Sequence, residues 1–72
     1  MKTLHVKNVV WQEEKYFVAQ CLNVDVSSFG ETKEIALKNL DEALELFFED
    51  SNINAFQKIE HPEIIDRKMH HA

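Results

Sequence analysis

An amphipathic segment from Lys33 to Asp50 is the sequence feature that most constrains the fold. At about 100° per residue its apolar side chains fall within one arc of roughly 140°, and its charged side chains occupy the opposite side. Thr32 supplies a hydroxyl suited to an N-cap, so we expect a helix to begin just after it. A single apolar arc has to be buried against another layer of structure. The arc consists of Ala36, Leu37, Leu40, Ala43, Leu44, Phe47 and Phe48.

The residues before this helix are typical of β-strands. Residues 3–11 and 16–22 are rich in β-branched and aromatic side chains that alternate loosely. The polar residues 12–15 between them have the length of a hairpin connection. A shorter third strand is expected around residues 24–29. Gly30, the one glycine of the chain, is predicted to turn the chain towards the helix with a positive φ.

The predicted fold class is α+β, with a small antiparallel β-meander and one amphipathic helix packed on one of its faces. After the helix, residues 63–69 predict a short final strand, which gives the order β-β-β-α-β. Residues 1–72 are expected to form one domain, with a core over residues 3–50 and a C-terminal extension over residues 51–72.

Composition excludes several classes of protein. One glycine is too few for a dinucleotide-binding fingerprint or a P-loop, whose backbones need glycine to close on phosphate. A net charge of −5 disfavours autonomous nucleic-acid binding. No apolar run approaches the roughly 20 residues that cross a bilayer. The first residues lack a signal-peptide core, and the single cysteine allows no intrachain disulfide. We therefore expect a cytoplasmic protein that binds neither membranes nor nucleic acids.

The predicted sheet has apolar side chains on both faces, although one helix can cover only one of them. An uncovered apolar face marks an interaction surface, so we expect a homodimer or homotetramer. Trp11 could instead cap the edge of the domain's own core, and Ile35 and Leu46 could pack under the loops at the helix ends. The predicted interface residues are Val9, Trp11, Tyr16, Val18 and Leu22 in the strands, and Ile35 and Leu46 on the helix.

Acidic side chains line the predicted solvent side of the helix. Such a strip could mimic RNA phosphates and attract a basic partner, because complementary charge steers association. The alternative is an ordinary solvated helix face, partly paired through Glu34 and Lys38. The acidic face consists of Glu34, Asp41, Glu42, Glu45 and Glu49.

Residues 16–50 resemble the HicB-like antitoxin family. The family pattern is an aromatic-Val-Ala strand, a Gly-x-Thr turn and a helix reading EAL-x-NL-x-EA-x-EL. Ile35 stands where relatives usually carry Glu. The matching positions are Tyr16, Val18, Ala19, Gly30, Thr32, Ala36, Leu37, Asn39, Leu40, Glu42, Ala43, Glu45 and Leu46.

This resemblance implies a reduced ribonuclease-H-like fold and a non-catalytic role, in which the domain binds a small basic ribonuclease of the HicA type and occludes its RNA-binding site. Many members add a C-terminal DNA-binding module, for which the residues after the helix are too few and too irregular. A stand-alone homo-oligomeric module without a toxin partner is the alternative.

No catalytic, cofactor or metal site is expected. Cys21 lies in a predicted strand and is typical of a small buried hydrophobe. The four histidines lack ligand spacing on one element apart from the pair His70 and His71. A residual nuclease would have to use Asp25 and Asp66, although two-metal phosphodiester chemistry needs several converging carboxylates.

Overall fold

The computed structural model describes residues 3–49 and 52–71, without the side chains of residues 52 and 53. Within these residues a three-stranded antiparallel sheet precedes one long helix, which confirms the predicted α+β fold. The elements are β1 (Asn8–Glu13), β2 (Tyr16–Cys21), β3 (Ser27–Gly30), α1 (Lys33–Glu49) and a 3₁₀ turn, η1 (Asn52–Ala55).

The sheet is a meander in the order β1-β2-β3. The β1–β2 hairpin is tighter than predicted, because Gln12 and Glu13 still pair with β2 and only Glu14 and Lys15 form the turn. Glu14 takes a φ of 51°, a left-handed conformation that lets a two-residue turn match the twist of its strands. Residues 3–7, expected to be part of the first strand, lie before β1.

One face of the sheet, called here the inner face, packs on α1. Ala19 and Cys21 of β2 are buried against the helix residues Ala36, Leu40 and Leu44. These helix residues belong to the predicted apolar arc, and they recur at spacings of four, so they lie on one side of α1. The core is therefore the layer between α1 and the inner face.

The helix begins as the sequence predicts. The Oγ1 atom of Thr32 accepts a hydrogen bond from the backbone N–H of Ile35 at 3.1 Å, which satisfies one of the unpaired donors of the first turn. Glu34 places a negative charge in the same turn, where the helix dipole favours it.

The predicted role of Gly30 is wrong in its mechanism. Its φ is not positive, and it is the last residue of β3 rather than part of a turn. A Cβ atom at this position would lie 2.6 Å from Cγ2 of Ile35 and 2.7 Å from the backbone nitrogen of Ala36. Glycine is needed because the first turn of α1 approaches the end of β3 too closely for any side chain.

Asn23 joins three segments of the chain that sequence analysis left unconnected. Its Oδ1 atom accepts from the backbone N–H of Lys7 at 2.7 Å, and its Nδ2 donates to the carbonyl of Gln57 at 2.7 Å. The N–H of Gln57 in turn donates to the carbonyl of Asn23 at 2.8 Å. The Asn23 side chain is buried, and its partly buried bonds fix the segment before β1 and the segment after η1 to the end of β2.

The predicted final strand over residues 63–69 is not formed. Residues 63–69 lie outside the sheet and are exposed. A strand needs a neighbour for its backbone hydrogen bonds, and residues 63–69 pair with neither edge of the described sheet.

Replacing Gly30 with alanine should destabilise the domain. The added Cβ forces α1 away from β3, which costs about 1–3 kcal/mol in the free energy of unfolding. Urea denaturation followed by circular dichroism measures the effect. Ser27→Ala, an exposed position on the same strand, is the matched control and should change stability by less than about 0.5 kcal/mol. Equal stability of the two variants would contradict the close-approach explanation.

Replacing Asn23 with alanine should also destabilise the domain, by about 2–4 kcal/mol, since it leaves the Lys7 N–H and the Gln57 carbonyl without their partner. Amide hydrogen exchange at Lys7 should accelerate at the same time. The control is Asn54→Ala, because Asn54 is exposed. Unchanged exchange at Lys7 would show that Asn23 does not hold the segment before β1.

Candidate protein-binding surface

The face of the sheet that turns away from α1, called here the outer face, carries a row of large apolar side chains. Trp11 pairs with Val18, and Val18 pairs with Phe29, so one residue from each strand stands in a line across the sheet. The adjacent rows continue with Val9 opposite Gln20 and with Tyr16 at the hairpin. Alternation along each strand puts all of these side chains on the side opposite Ala19 and Cys21.

The aromatic side chains of this row are accessible. Phe29 is 66% exposed, Trp11 is 41% exposed and Tyr16 is 39% exposed. The rings of Tyr16 and Phe29 meet edge to face with centroids 5.8 Å apart, a favourable geometry for an aromatic pair. The three rings thus form a patch on the surface instead of contributing to the core. Trp11 lies on the outer face, opposite the core layer.

A carboxylate fixes the orientation of two of these rings. The indole Nε1 of Trp11 donates to Oε1 of Glu13 at 3.1 Å, and the Tyr16 hydroxyl donates to Oε2 of the same side chain at 3.3 Å. Glu13 and Tyr16 face each other across the hairpin, so the tight turn creates this arrangement. Rings held in place before binding lose less entropy when a partner covers them.

The apolar surface continues from the outer face onto the start of α1. Tyr16 and Phe29 line an open groove with Ile35 and Asn39 of the helix. The Asn39 amide donates to the carbonyl of Phe29 at 2.9 Å, which ties the helix to the β3 edge. Ile35 packs beside Gly30 and remains 44% exposed, so it belongs to both the helix–sheet contact and the groove.

The other two predicted interface residues lie elsewhere. Leu22 follows β2 and is partly buried, and it borders a different groove that includes Asn23 and Phe47. Leu46 is 65% exposed on α1 and does not line the groove beside Phe29. Ile35 and Leu46 were predicted to share one interface, but only Ile35 lies beside the outer face.

Phe29 is the residue that sequence analysis missed. The sequence predicts a third strand around residues 24–29 but does not indicate which face of the sheet Phe29 occupies. The short run Ser27-Ser28-Phe29 shows too little alternation of polar and apolar residues. The pairing of β3 with β2 decides the face of Phe29. Because Gly30 lies opposite Phe17, Phe29 lies opposite Val18 on the outer face.

The acidic residues of α1 are all exposed. The predicted alternative paired Glu34 with Lys38, but in residues 3–49 and 52–71 neither these two nor any other member of the acidic face forms an ion pair within 4.0 Å. The ion pair that the described residues contain joins Lys58 and Glu60 at 3.7 Å. Negative charge on α1 is thus left to solvent or to a partner. The acidic face comprises Glu34, Asp41, Glu42, Glu45 and Glu49.

The residues considered for chemistry lie in separate places. Cys21 is buried on the inner face, Asp25 is exposed between β2 and β3, and Asp66 is exposed near the C-terminus. The part of the chain that the structure describes holds no group of three or more His, Cys, Asp or Glu side chains placed to bind a metal ion.

Among the described residues, no helix has the length and apolarity needed to cross a membrane.

Comparison with known proteins places this architecture in a family. Neither the curated proteins nor the solved structures contain a match to the chain. A model described as "Family of unknown function (DUF7387)" matches residues 4–68, which include all three strands and α1. That description names no activity or partner, so the resemblance to HicB-like antitoxins stays a prediction. The match covers most of the sequence, and the chain belongs to the DUF7387 family.

Proposed function

We propose that this chain is a non-catalytic protein-binding module that binds other proteins through its outer face. The observation that supports this proposal best is the row of Trp11, Val18 and Phe29. No other part of the described chain covers this row, whereas α1 covers the inner face. Contiguous aromatic side chains on a monomer surface mark a protein interface, and aromatic residues often supply much of its binding energy.

The first candidate partner is a small basic ribonuclease of the HicA type, neutralised by occlusion. The sequence resemblance suggests this partner. The net charge of −5 and the unpaired acidic side chains of α1 support it, because they complement a basic RNA-binding surface. The proposed location is the cytoplasm, where a lone cysteine such as Cys21 stays reduced.

The second candidate is a homo-oligomeric module, a dimer or tetramer with no toxin partner. Its support is the aromatic patch, because a second copy of the chain related by a two-fold axis can cover it. A domain of this size buries only about 60% of the surface of its unfolded chain, so association would add stability that the core cannot supply.

A tagged pull-down from the native host, followed by an RNA-cleavage assay, tests the antitoxin role. We expect to recover a basic protein in stoichiometric amount. By itself this protein should cleave RNA, and the cleavage should stop when the present chain is added. Glu42→Gln, Glu45→Gln and Glu49→Gln combined should weaken the inhibition at least about tenfold, because the charges that attract the basic partner are gone. Lys38→Gln on the same helix is the control. Recovery of self-associated chain alone would contradict the antitoxin role and favour the second candidate.

Light scattering tests the outer face directly. Phe29→Ser should weaken self-association at least about tenfold, since it removes the most exposed ring of the row. Leu46→Ser removes an equally exposed apolar side chain from α1 and should leave association unchanged. The reverse pattern, with loss only in the Leu46 variant, would move the interface from the sheet to the helix.

A further inference from the structure

The residues after Ile59 form an arm, whereas Phe56 still packs against the core and Gln57 still bonds to Asn23. Every side chain from residue 60 to residue 71, called here the C-terminal arm, is exposed. The molecule measures 48 × 27 × 21 Å and has a radius of gyration of 14.2 Å. A compact chain of this length would have a radius of gyration of about 11 Å. The arm is the part that extends the molecule.

The C-terminal arm carries large apolar side chains that are mostly exposed. Ile64 is 86% exposed, Met69 is 78% exposed and Ile65 is 64% exposed. Large aliphatic side chains gathered on a short exposed segment favour burial against another apolar surface, at roughly 25 cal/mol for each Å² removed from water. The chain thus leaves two apolar surfaces uncovered at once, namely the arm and the outer face.

The two surfaces match in length. The row from Trp11 to Phe29 crosses two strand spacings, or about 10 Å. The stretch from Ile65 to Met69 spans about 13 Å when extended. An extended arm can therefore place an apolar side chain at each end of the row.

The two surfaces also match in charge. Arg67 and Lys68 stand immediately before Met69, and with Asp66 they give residues 64–69 a net charge of +1, while Glu60 and Glu63 lie nearer the start of the arm. The outer face is bordered by carboxylates, with Glu13 held between Trp11 and Tyr16 and Glu31 beside Phe29. Opposite charges around an apolar contact favour this pairing over contact between two outer faces, which would bring like charges together.

We propose that the C-terminal arm of one copy lies across the outer face of a second copy, and that the second copy returns the same contact. The inference rests on the proposed function of the outer face as a protein-binding surface, and it names the occupant. The arm follows Ile59, which is half-buried beside the segment before β1, and Gln57, which Asn23 holds at the end of β2. A two-fold axis would let both arms dock at once and bury both pairs of surfaces.

The reciprocal docking of arm on outer face is called here the exchange. Complementation between two variants tests it. The face variant is Phe29→Asp, and the arm variant combines Ile64→Ser, Ile65→Ser and Met69→Ser. All four positions are exposed, so circular dichroism should show native folding for both. One variant is isotopically labelled, so that native mass spectrometry of the full chain distinguishes monomers, dimers of each variant and mixed dimers. His70→Ser, which changes the arm without touching its apolar residues, is the control and should associate as the wild type does.

We expect each variant alone to be monomeric at concentrations where the wild type is dimeric. A mixture of the two should form mixed dimers, because the intact arm of the face variant meets the intact outer face of the arm variant. Such a dimer keeps one contact of two, so it should be at least about tenfold weaker than the wild-type dimer.

The contrary results separate the two proposals. An arm variant that dimerises like the wild type, beside a monomeric face variant, would overturn the exchange and leave the outer face as the interface. A face variant that still dimerises would overturn the exchange together with the second candidate function, self-association through the outer face. Two monomeric variants that form no mixed dimer would contradict the pairing of arm with face, and a wild type that is monomeric at high concentration would overturn the exchange.

Discussion

The packing of α1 on one face of the sheet is the constraint on which the rest of the structure depends. The first turn of the helix approaches the end of β3 so closely that only glycine fits at position 30. This contact sets the helix against Ala19 and Cys21, and the core closes between them. Because α1 covers only the inner face, the apolar side chains on the other face of β1, β2 and β3 stay at the surface.

Local patterns predicted α1 and the faces of β1 and β2, but not the face of Phe29 or the contacts that join the elements. The periodicity of α1 and the alternation in β2 are local patterns, so they could be read without knowing the fold. Gly30 was singled out for the wrong reason, since a close approach between two elements leaves no local signal. Asn23 was missed because its partners, Lys7 and Gln57, lie 16 and 34 residues away. The strand predicted over residues 63–69 failed because its apolar side chains have no neighbouring strand.

Function in this account follows from what the fold leaves exposed. The outer face offers exposed aromatic rings, two of which donate hydrogen bonds to Glu13. The acidic face of α1 points in another direction and carries charge rather than apolar area. A single small domain thus has two exposed surfaces of different chemistry, one aromatic and one acidic. An antitoxin-like role would use both, whereas a stand-alone module would use only the outer face.

The most direct test of the central claim is the fluorescence of Trp11, the one tryptophan of the chain, which lies in the row on the outer face. Its emission should be recorded over a dilution series, together with the quenching by acrylamide. If another protein molecule covers the outer face, emission should shift to shorter wavelength and quenching should fall as the concentration rises. Emission that stays constant while light scattering detects assembly would contradict the account, because association would then occur on some other surface.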